Sequence, residues 1–556
     1  MDIKKKSLWM TICLCCCLGV MAQSGTQQPN IILIMVDDMG YSDIGCYGGE
    51  VETPNLDKLA MGGLRFTNFH NNARCSPTRA SILTGQYAHK VGLSQNGNAL
   101  TYNGTTIAEL LKANGYQTAM VGKWHLSDDI QKPTKEDQLK WLNHQAFNAD
   151  EFASKASYPI NRGFQKHYGI IWGVVNYFDP FSLVNGEKTI FEVPEDYYIT
   201  DAFNEKAVEY VKEFAGSKQP FFLYLAHAAP HWPIHAKEED IAKYEGKYDI
   251  GWDELRKQRY ERMVKMRLVD PATTPLLPVM GRLGSWESLS AEEKKKQSKK
   301  MAVHAAMIDR VDQGIGKLIQ TLKETNMYDN TLIIFLSDNG ASPEIVTVPG
   351  YDRPSETRRG VTHQYADQPS AENIGREISY TGIGQNWANA SNTPFRYWKV
   401  ESFEGGICTP MFVHWPKGLK TKPGSINGSL GHVMDIFPTL LEVSGTPYPQ
   451  QYNGHGLTAV DGLSILPVLN GKAQGSRNSI FFEHARGKAY IRDNMKLVMR
   501  TSGDQWELYD LSKDRNEANN IAAANATLVA QLKQEWENWY NGLKPYIKPR
   551  AGSGPQ

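Results

Sequence analysis

The chain has 556 residues, 41% of them hydrophobic, 22% charged and 10% aromatic, with 60 basic against 60 acidic side chains. That length exceeds one simple core and predicts a large domain with a smaller companion. A formal charge of zero leaves no basic footprint, which argues against nucleic acid as a partner.

Lys4-Lys5-Lys6 precede an apolar run from Leu8 to Met21 that closes on Val20-Met21-Ala22. A basic start, an apolar middle and a small-residue end predict a secretory signal over residues 1–22. The run is too short to span a bilayer comfortably, so the mature chain carries no expected transmembrane segment. The layout fits export to a bacterial periplasm; a lipid anchor on Cys13, Cys15, Cys16 or Cys17 is disfavoured, because none follows a small-residue lipobox. Only Cys46, Cys75 and Cys408 remain beyond it, too few for a disulfide framework. Cys46 and Cys408 form either a bridge or, preferably, two separate buried thiols.

Asn30–Val36 is a continuous apolar run, as suits a parallel strand covered on both faces. It stops at Asp37-Asp38, at the strand end where open α/β sheets gather ligands. Pro54 to Gly62 reads as a helix with Pro at its start. Ser76 to Thr84 reads as another, with Pro77 in its first turn and Cys75 at its N-terminus, where amides favour anions. Thr106 to Asn114 is a helix closed by Gly115, and Tyr116 to Val121 a strand leading into Gly122-Lys123-Trp124-His125. A helix over 201–214 and a strand over 220–226 come next, then a long helix over 302–325. A strand over 330–336 ends in Ser337-Asp338-Asn339-Gly340. Residues 411–415 read as a late strand and 432–443 as a helix. This alternation predicts an α/β domain over 23–470, a large mixed, mainly parallel sheet sandwiched by helices. From about 475, short strands at 479–483, 488–492, 495–499 and 507–510 precede a terminal helix over 522–543. That predicts an α+β subdomain on an antiparallel sheet over 471–556. Residues 236–300 read as a charged helical insertion, and 343–392 as a long loop without periodicity, of the kind that carries function.

Asp37, Asp38, Asp338 and Asn339 are all-oxygen donors at the ends of two strands, a set that selects Ca²⁺ or Mg²⁺ over zinc. Lys123 and His125 alternate along an extended segment and so point the same way. His231 follows a strand in Ala229-Pro230-His231-Trp232-Pro233, with His227 and His235 as competitors nearby. Lys399 follows Asn392-Thr393-Pro394-Phe395-Arg396; Arg396 is expected to be structural, paired to Glu404.

Cys75-Ser76-Pro77-Thr78-Arg79-Ala80-Ser81-Ile82-Leu83-Thr84-Gly85 resembles the sulfatase pattern C-x-P-[ST]-R-x-x-x-L-T-G at every fixed position. Gly115 to His125 resembles the second signature of that family, G-Y-x-T-x-x-x-G-K-W-H. The resemblance spans about residues 30–443 in five ordered blocks and looks closest to the bacterial arylsulfatase branch. It implies an alkaline phosphatase-like fold and hydrolysis of sulfate esters. It also implies a Cys75 converted by a formylglycine-generating maturation enzyme to 3-oxoalanine. The metal, usually Ca²⁺, is then held by Asp37, Asp38, Asp338, Asn339 and residue 75. Arg79, Lys123, His125, His231 and Lys399 complete the catalytic set. Sulfated carbohydrates attacked from a chain end, or aryl sulfates, are the expected substrates. A phosphomonoester or phosphonate monoester hydrolase of the same superfamily is the alternative. Trp172, Asn176, Tyr177 and Asp179 either line a sugar pocket or form a structural loop. Tyr351, Arg353, Arg358, Arg359 and His363 of the long loop are further candidates for specificity.

Overall fold

The computed structural model describes residues 28–145, 152–473, 477–484, 487–501 and 503–547. The predicted signal segment lies outside them. Strands Asn30–Val36 (β1), Leu64–Phe66 (β2), Gln117–Lys123 (β3), Lys166–Ile170 (β4), Leu183–Asn185 (β5), Lys188–Thr189 (β6), Phe221–Ala226 (β7), Thr331–Ser337 (β8), Met411–His414 (β9) and Ser425–Asn427 (β10) form one sheet. Their order is β10-β2-β9-β8-β1-β7-β3-β4-β5-β6. The centre, β8-β1-β7-β3-β4, is parallel, while β9 runs antiparallel to both β8 and β2. This is the large mixed, mainly parallel sheet that the alternation predicts.

Two cores cover the two faces. Ile32, Ile34 and Val36 enter one cluster, and Ile31, Leu33 and Met35 the other. Successive side chains of a strand point to opposite faces, so a continuous apolar run is what a doubly covered strand requires. Helices Ile199–Ala215 and Ala291–Glu324 supply the first face; helices Cys75–Thr84, Ile107–Ala113 and Ile436–Ser444 supply the second. Each fully buried aliphatic side chain stabilises the fold by about 1.5–3 kcal/mol before entropy is counted.

The long helix begins at Ala291, well before the expected start at 302. Its cap is Ser290, whose side chain accepts from the Glu293 amide. The charged stretch at 236–300 therefore divides. Gly251–Lys265 is a helix of its own, while Lys294, Lys295 and Lys296 lie in the first turns of the long one. The expected loop at 343–392 holds a short paired strand segment and, at its end, the helix Gly384–Ser391.

The C-terminal strands Ser479–His484 (β11), Gly487–Arg492 (β12), Met495–Met499 (β13) and Glu507–Asp510 (β14) form an antiparallel sheet in sequence order. One face packs Tyr490, Leu497 and Leu508 under Leu532 and Trp536 of the helix Ala526–Leu543. The other packs Ile480, Phe482 and Val498 against Ala73, Phe403 and Ile407 of the larger part. Cys46, Cys75 and Cys408 are separate buried thiols. Among the described residues, no helix is long and apolar enough to cross a membrane.

Candidate active site

The register of three parallel strands assembles the site. Val36 pairs with Ser337, and Gly122 pairs with Ala226, so β1, β8 and β3 end at one edge. Asp37-Asp38, Asp338-Asn339 and Lys123 emerge there together. The Asp338 amide donates to the Val36 carbonyl at 3.1 Å, which ties the two acidic turns. Asp38 adopts φ 66°, a left-handed turn that an Asp tolerates better than most residues. Gly122 has φ 113°, and a Cβ there would stand 1.9 Å from the Ala226 carbonyl oxygen. Only glycine lets β3 run this close to β7.

Cys75 opens the helix Cys75–Thr84, which Gly85 closes at φ 70°. Its thiol, the carboxylates of Asp37 and Asp38 and a ring nitrogen of His231 offer donor atoms within 4.8 Å of one another. One turn along the helix, Arg79 donates from Nε and one terminal nitrogen to Asp338 Oδ2, at 3.1 and 2.7 Å. Its other terminal nitrogen donates to the Lys123 carbonyl at 2.8 Å. Lys123 Nζ donates to Asp37 Oδ2. Lys399 Nζ lies 2.8 Å from Asp38 Oδ1 and 3.2 Å from Glu344 Oε2. Asn339 Nδ2 donates to Asp38 Oδ1 at 2.7 Å.

His231 lies between two cis prolyl bonds, Ala229–Pro230 and Trp232–Pro233. Its Nδ1 meets the Trp232 carbonyl, and its Nε2 stands 3.4 Å from Asp38 Oδ2. The competing histidines are not in the site. His235 is engaged by the Ser379 carbonyl and the Tyr177 amide. His227 is buried and lines no part of the cavity. His125 adopts φ 57°, and its Nδ1 has no partner among the described residues.

The electrostatics reflect this crowding. Burial pushes the Cys75 thiol up to about 12, against the pull of Lys123 and Lys399, so it is protonated at neutral pH. Burial and the Asp37 charge raise Asp338, while Lys123, His231 and Arg79 overcome burial and hold Asp37 low. Burial and nearby cations push both His125 and His231 well below the usual histidine range. Burial works against the Lys399 ammonium, but Asp38, residue 75 and Glu344 raise its pKa well above normal.

A hard divalent cation fits this donor set. Asp37 Oδ1 and Asn339 Oδ1 are buried without a hydrogen-bond partner among the described residues, beside carboxylates of Asp38 and Asp338. Four oxygen-bearing side chains, two of them with an orphaned oxygen, suit Ca²⁺ or Mg²⁺.

A cavity of about 260 Å³ opens over residue 75 and is shared by His125, His231 and Lys399. All ten residues predicted for metal and catalysis thus converge on one strand edge. A family model described as Sulfatase matches residues 29–446. This chain belongs to the sulfatase family. A second model, N-sulphoglucosamine sulphohydrolase, C-terminal, matches residues 396–541. The sulfatase is 33% identical to an arylsulfatase of Klebsiella aerogenes over 81% of this chain and 94% of that one. It is 31% identical to an uncharacterized sulfatase of Schizosaccharomyces pombe, over 92% and 94%. Its fold matches the crystal structure of Ps i-CgsB in complex with k-i-k-neocarrahexaose at a TM-score of 0.63. That match has 25% identity and covers 92% and 93% of the two chains.

The specificity candidates fare unevenly. Trp172 and Tyr351 line the cavity, while the Trp172 indole donates to the Phe152 carbonyl at 2.6 Å. Asn176, Tyr177, Asp179, Arg353, Arg358, Arg359 and His363 do not line it. Arg358 is bound to Asp179, Arg359 to Glu377 and Asn176 to His363, so these side chains fasten loops together. Tyr177 acts behind the site: its hydroxyl donates to the Ala228 and His231 carbonyls at 2.6 and 3.0 Å. Arg396 is structural, but its partner is the Glu517 carbonyl, with its guanidinium over Tyr397 and Phe403. Glu404 pairs instead with His70, Lys496 and Arg515.

Sequence reasoning missed Glu344, Arg74, Asn96, Asp352 and His484, all on the cavity wall. Arg74, next to Cys75, and Glu344, shortly after Asp338-Asn339, stand close enough to the motifs to be suspected. Nothing in the local pattern marks Asn96 or His484.

Proposed function

We propose that this enzyme releases inorganic sulfate from sulfated glycans, taking a sulfated sugar at a chain end, with formylglycine at position 75 and Ca²⁺ as its metal. The observation that carries this reading is the position of Cys75. It is a fully buried, protonated thiol at a helix N-terminus, ringed by Asp37, Asp38, Arg79, Lys123 and Lys399. The cavity of about 260 Å³ matches one small ring better than a bound polymer, which favours action at a chain end.

As formylglycine, residue 75 would supply the attacking oxygen through its hydrate, with Asp338, raised by burial, taking the proton that oxygen gives up; a cation held by Asp37, Asp38, Asp338 and Asn339 would supply positive charge to the sulfuryl oxygens. The rest is done by the chain. Lys123 and Lys399 are fixed ammonium groups whose charge meets the sulfuryl oxygens without reorganisation. Arg79 holds Asp338 and the Lys123 backbone, which fixes the helix bearing residue 75 against the sheet edge. His231 presents Nε2 to the bridging oxygen. Lys399, which lines the same cavity, sets its ammonium beside the leaving group. His125, neutral at working pH, takes the proton from residue 75 that releases sulfate. Within the ester only the S–O bond breaks, so the product alcohol keeps its bridging oxygen; sulfate then leaves residue 75 by cleavage of the hydrate's C–O bond.

Export to the periplasm and maturation by a formylglycine-generating enzyme belong to the same reading. Peptide mass spectrometry across residue 75 of the exported protein tests it. The mass deficit of an aldehyde in place of CH₂SH, on protein that hydrolyses an aryl sulfate in ¹⁸O water without labelling the alcohol, is expected. Full activity with an unmodified Cys75 would overturn the mechanism.

A further inference from the structure

The cavity wall carries two polar atoms that the reaction does not use. His484, the last residue of β11, lines the cavity and is 5% exposed. Its Nδ1 has no hydrogen-bond partner among the described residues. Asn96 lines the same cavity, and its Oδ1 is likewise buried and without a partner among them. Folded proteins satisfy nearly all such atoms, so two orphans on one cavity wall ask for a ligand that hydrogen-bonds there. Trp172, Tyr351 and Trp232 share that wall and offer it apolar faces.

We propose that His484 and Asn96 are specificity-determining residues that hydrogen-bond to hydroxyl groups of the sulfated ring, which makes the C-terminal sheet part of the substrate site. This deepens the glycan reading above and rests on it. Burial, with the Arg74 charge beside it, holds the His484 ring neutral, near 3. A neutral imidazole has one donor and one acceptor nitrogen; the Ser94 backbone engages the ring, which leaves Nδ1 for a hydroxyl to satisfy. Asn96 Oδ1 needs a donor, which a hydroxyl also supplies. A bare aromatic ring satisfies neither atom and leaves both unpaired. Sites built to bond a substrate hydroxyl discriminate strongly against analogues that lack it.

The test compares two kinds of ester on the matured enzyme. One is 4-methylumbelliferyl sulfate. The other is a panel of monosulfated galactose, fucose, N-acetylgalactosamine and N-acetylglucosamine, with sulfate at each available hydroxyl. Released sulfate is measured by ion chromatography. The wild type is expected to prefer at least one sugar over the aryl ester in kcat/KM. In His484→Phe and Asn96→Ala the sugar-to-aryl ratio of kcat/KM falls tenfold or more, and His484→Gln recovers part of it. Thermal melts confirm that each variant is folded. An unchanged ratio in the folded variants overturns the proposal, as does a wild type that takes the aryl ester but no sugar. A wild type silent on both esters counts against the reaction proposed above, not against the roles of His484 and Asn96 alone.

Discussion

Gly173 lies on the cavity wall against the ring of His125. A Cβ built there would stand 2.3 Å from Cε1 and 2.5 Å from Nε2 of that ring. Ordinary contact begins near 3.4 Å, so in Gly173→Ala the imidazole must move by about 1 Å. Gly173 is not among the glycines with positive φ, so alanine fits the backbone without strain. The ring has room to yield, because its Nδ1 is not bonded among the described residues and the ring borders the cavity. The change therefore falls on geometry and not on folding. A displacement of about 1 Å at a reacting group costs on the order of 100-fold in rate, or about 2.7 kcal/mol of barrier. Steady-state hydrolysis of 4-methylumbelliferyl sulfate should show kcat down about 100-fold, with KM within a few-fold and Tm within a few degrees of wild type. A folded Gly173→Ala enzyme with kcat within about threefold of wild type would refute the placement of His125 at the reacting group.

The same contacts lead to four more outcomes. Lys399→Met strips the ammonium from Asp38 and Glu344 and should lower kcat/KM by at least about 100-fold, measured on the same ester. Prolonged dialysis against a chelator should abolish activity and lower Tm; Ca²⁺ should restore both and Zn²⁺ should not, as scanning calorimetry and rate assays will report. Acid should unfold the protein steeply. His227 and His235 are each pushed by burial down to about 3, so the unfolded chain binds protons near the usual 6.5 that the folded one refuses. Stability is whole above that value and falls by about 1.4 kcal/mol per pH unit for each group as pH drops toward 4. Urea midpoints that stay level between pH 7 and pH 4.5 would contradict this. Lys496→Met removes the cation shared by Glu404 and Glu517, each buried at 0% exposure, and should cost about 3–5 kcal/mol in urea unfolding.

The candidate site is legible in the sequence because each of its parts sits beside a strand or helix end that announces itself locally. The apolar run Asn30–Val36 suits a strand covered on both faces, which places the next two residues, Asp37-Asp38, at the sheet edge. Cys75 and Arg79 are fixed by one helical turn; Lys123 ends β3, whereas His125 lies two residues past it at φ 57°, so the expected extended alternation does not reach it. Periodicity misplaces the start of the long helix because its apolar stripe sets in late, whereas the cap at Ser290 is a polar signal well upstream of it. The cavity wall is legible only in part. Asn96 and His484 meet on one wall from distant parts of the chain through the packing of β11 on Ala73 and Phe403, and no spacing rule encodes that meeting. Arg358 and His363 look like recognition groups by composition, but Asp179 and Asn176 claim them first.

The buried cluster around Glu404 has a bearing on how such enzymes can be recombined. Glu404 belongs to the larger part, yet two of its three partners, Lys496 and Arg515, come from the C-terminal region. The short helix it begins donates no slack: the Gly340 amide, directly after Asp338-Asn339, bonds to the Gly406 carbonyl at 3.1 Å, and the Asn71 amide bonds to the Ile407 carbonyl at 2.7 Å. A graft that exchanges the C-terminal sheet for a foreign one to alter substrate choice would thus strand a carboxylate directly behind the Asp338-Asn339 turn. Chimeras that carry Lys496, Arg515 and Glu517 across with the acceptor's own surroundings should remain active, and those that cut between them should not.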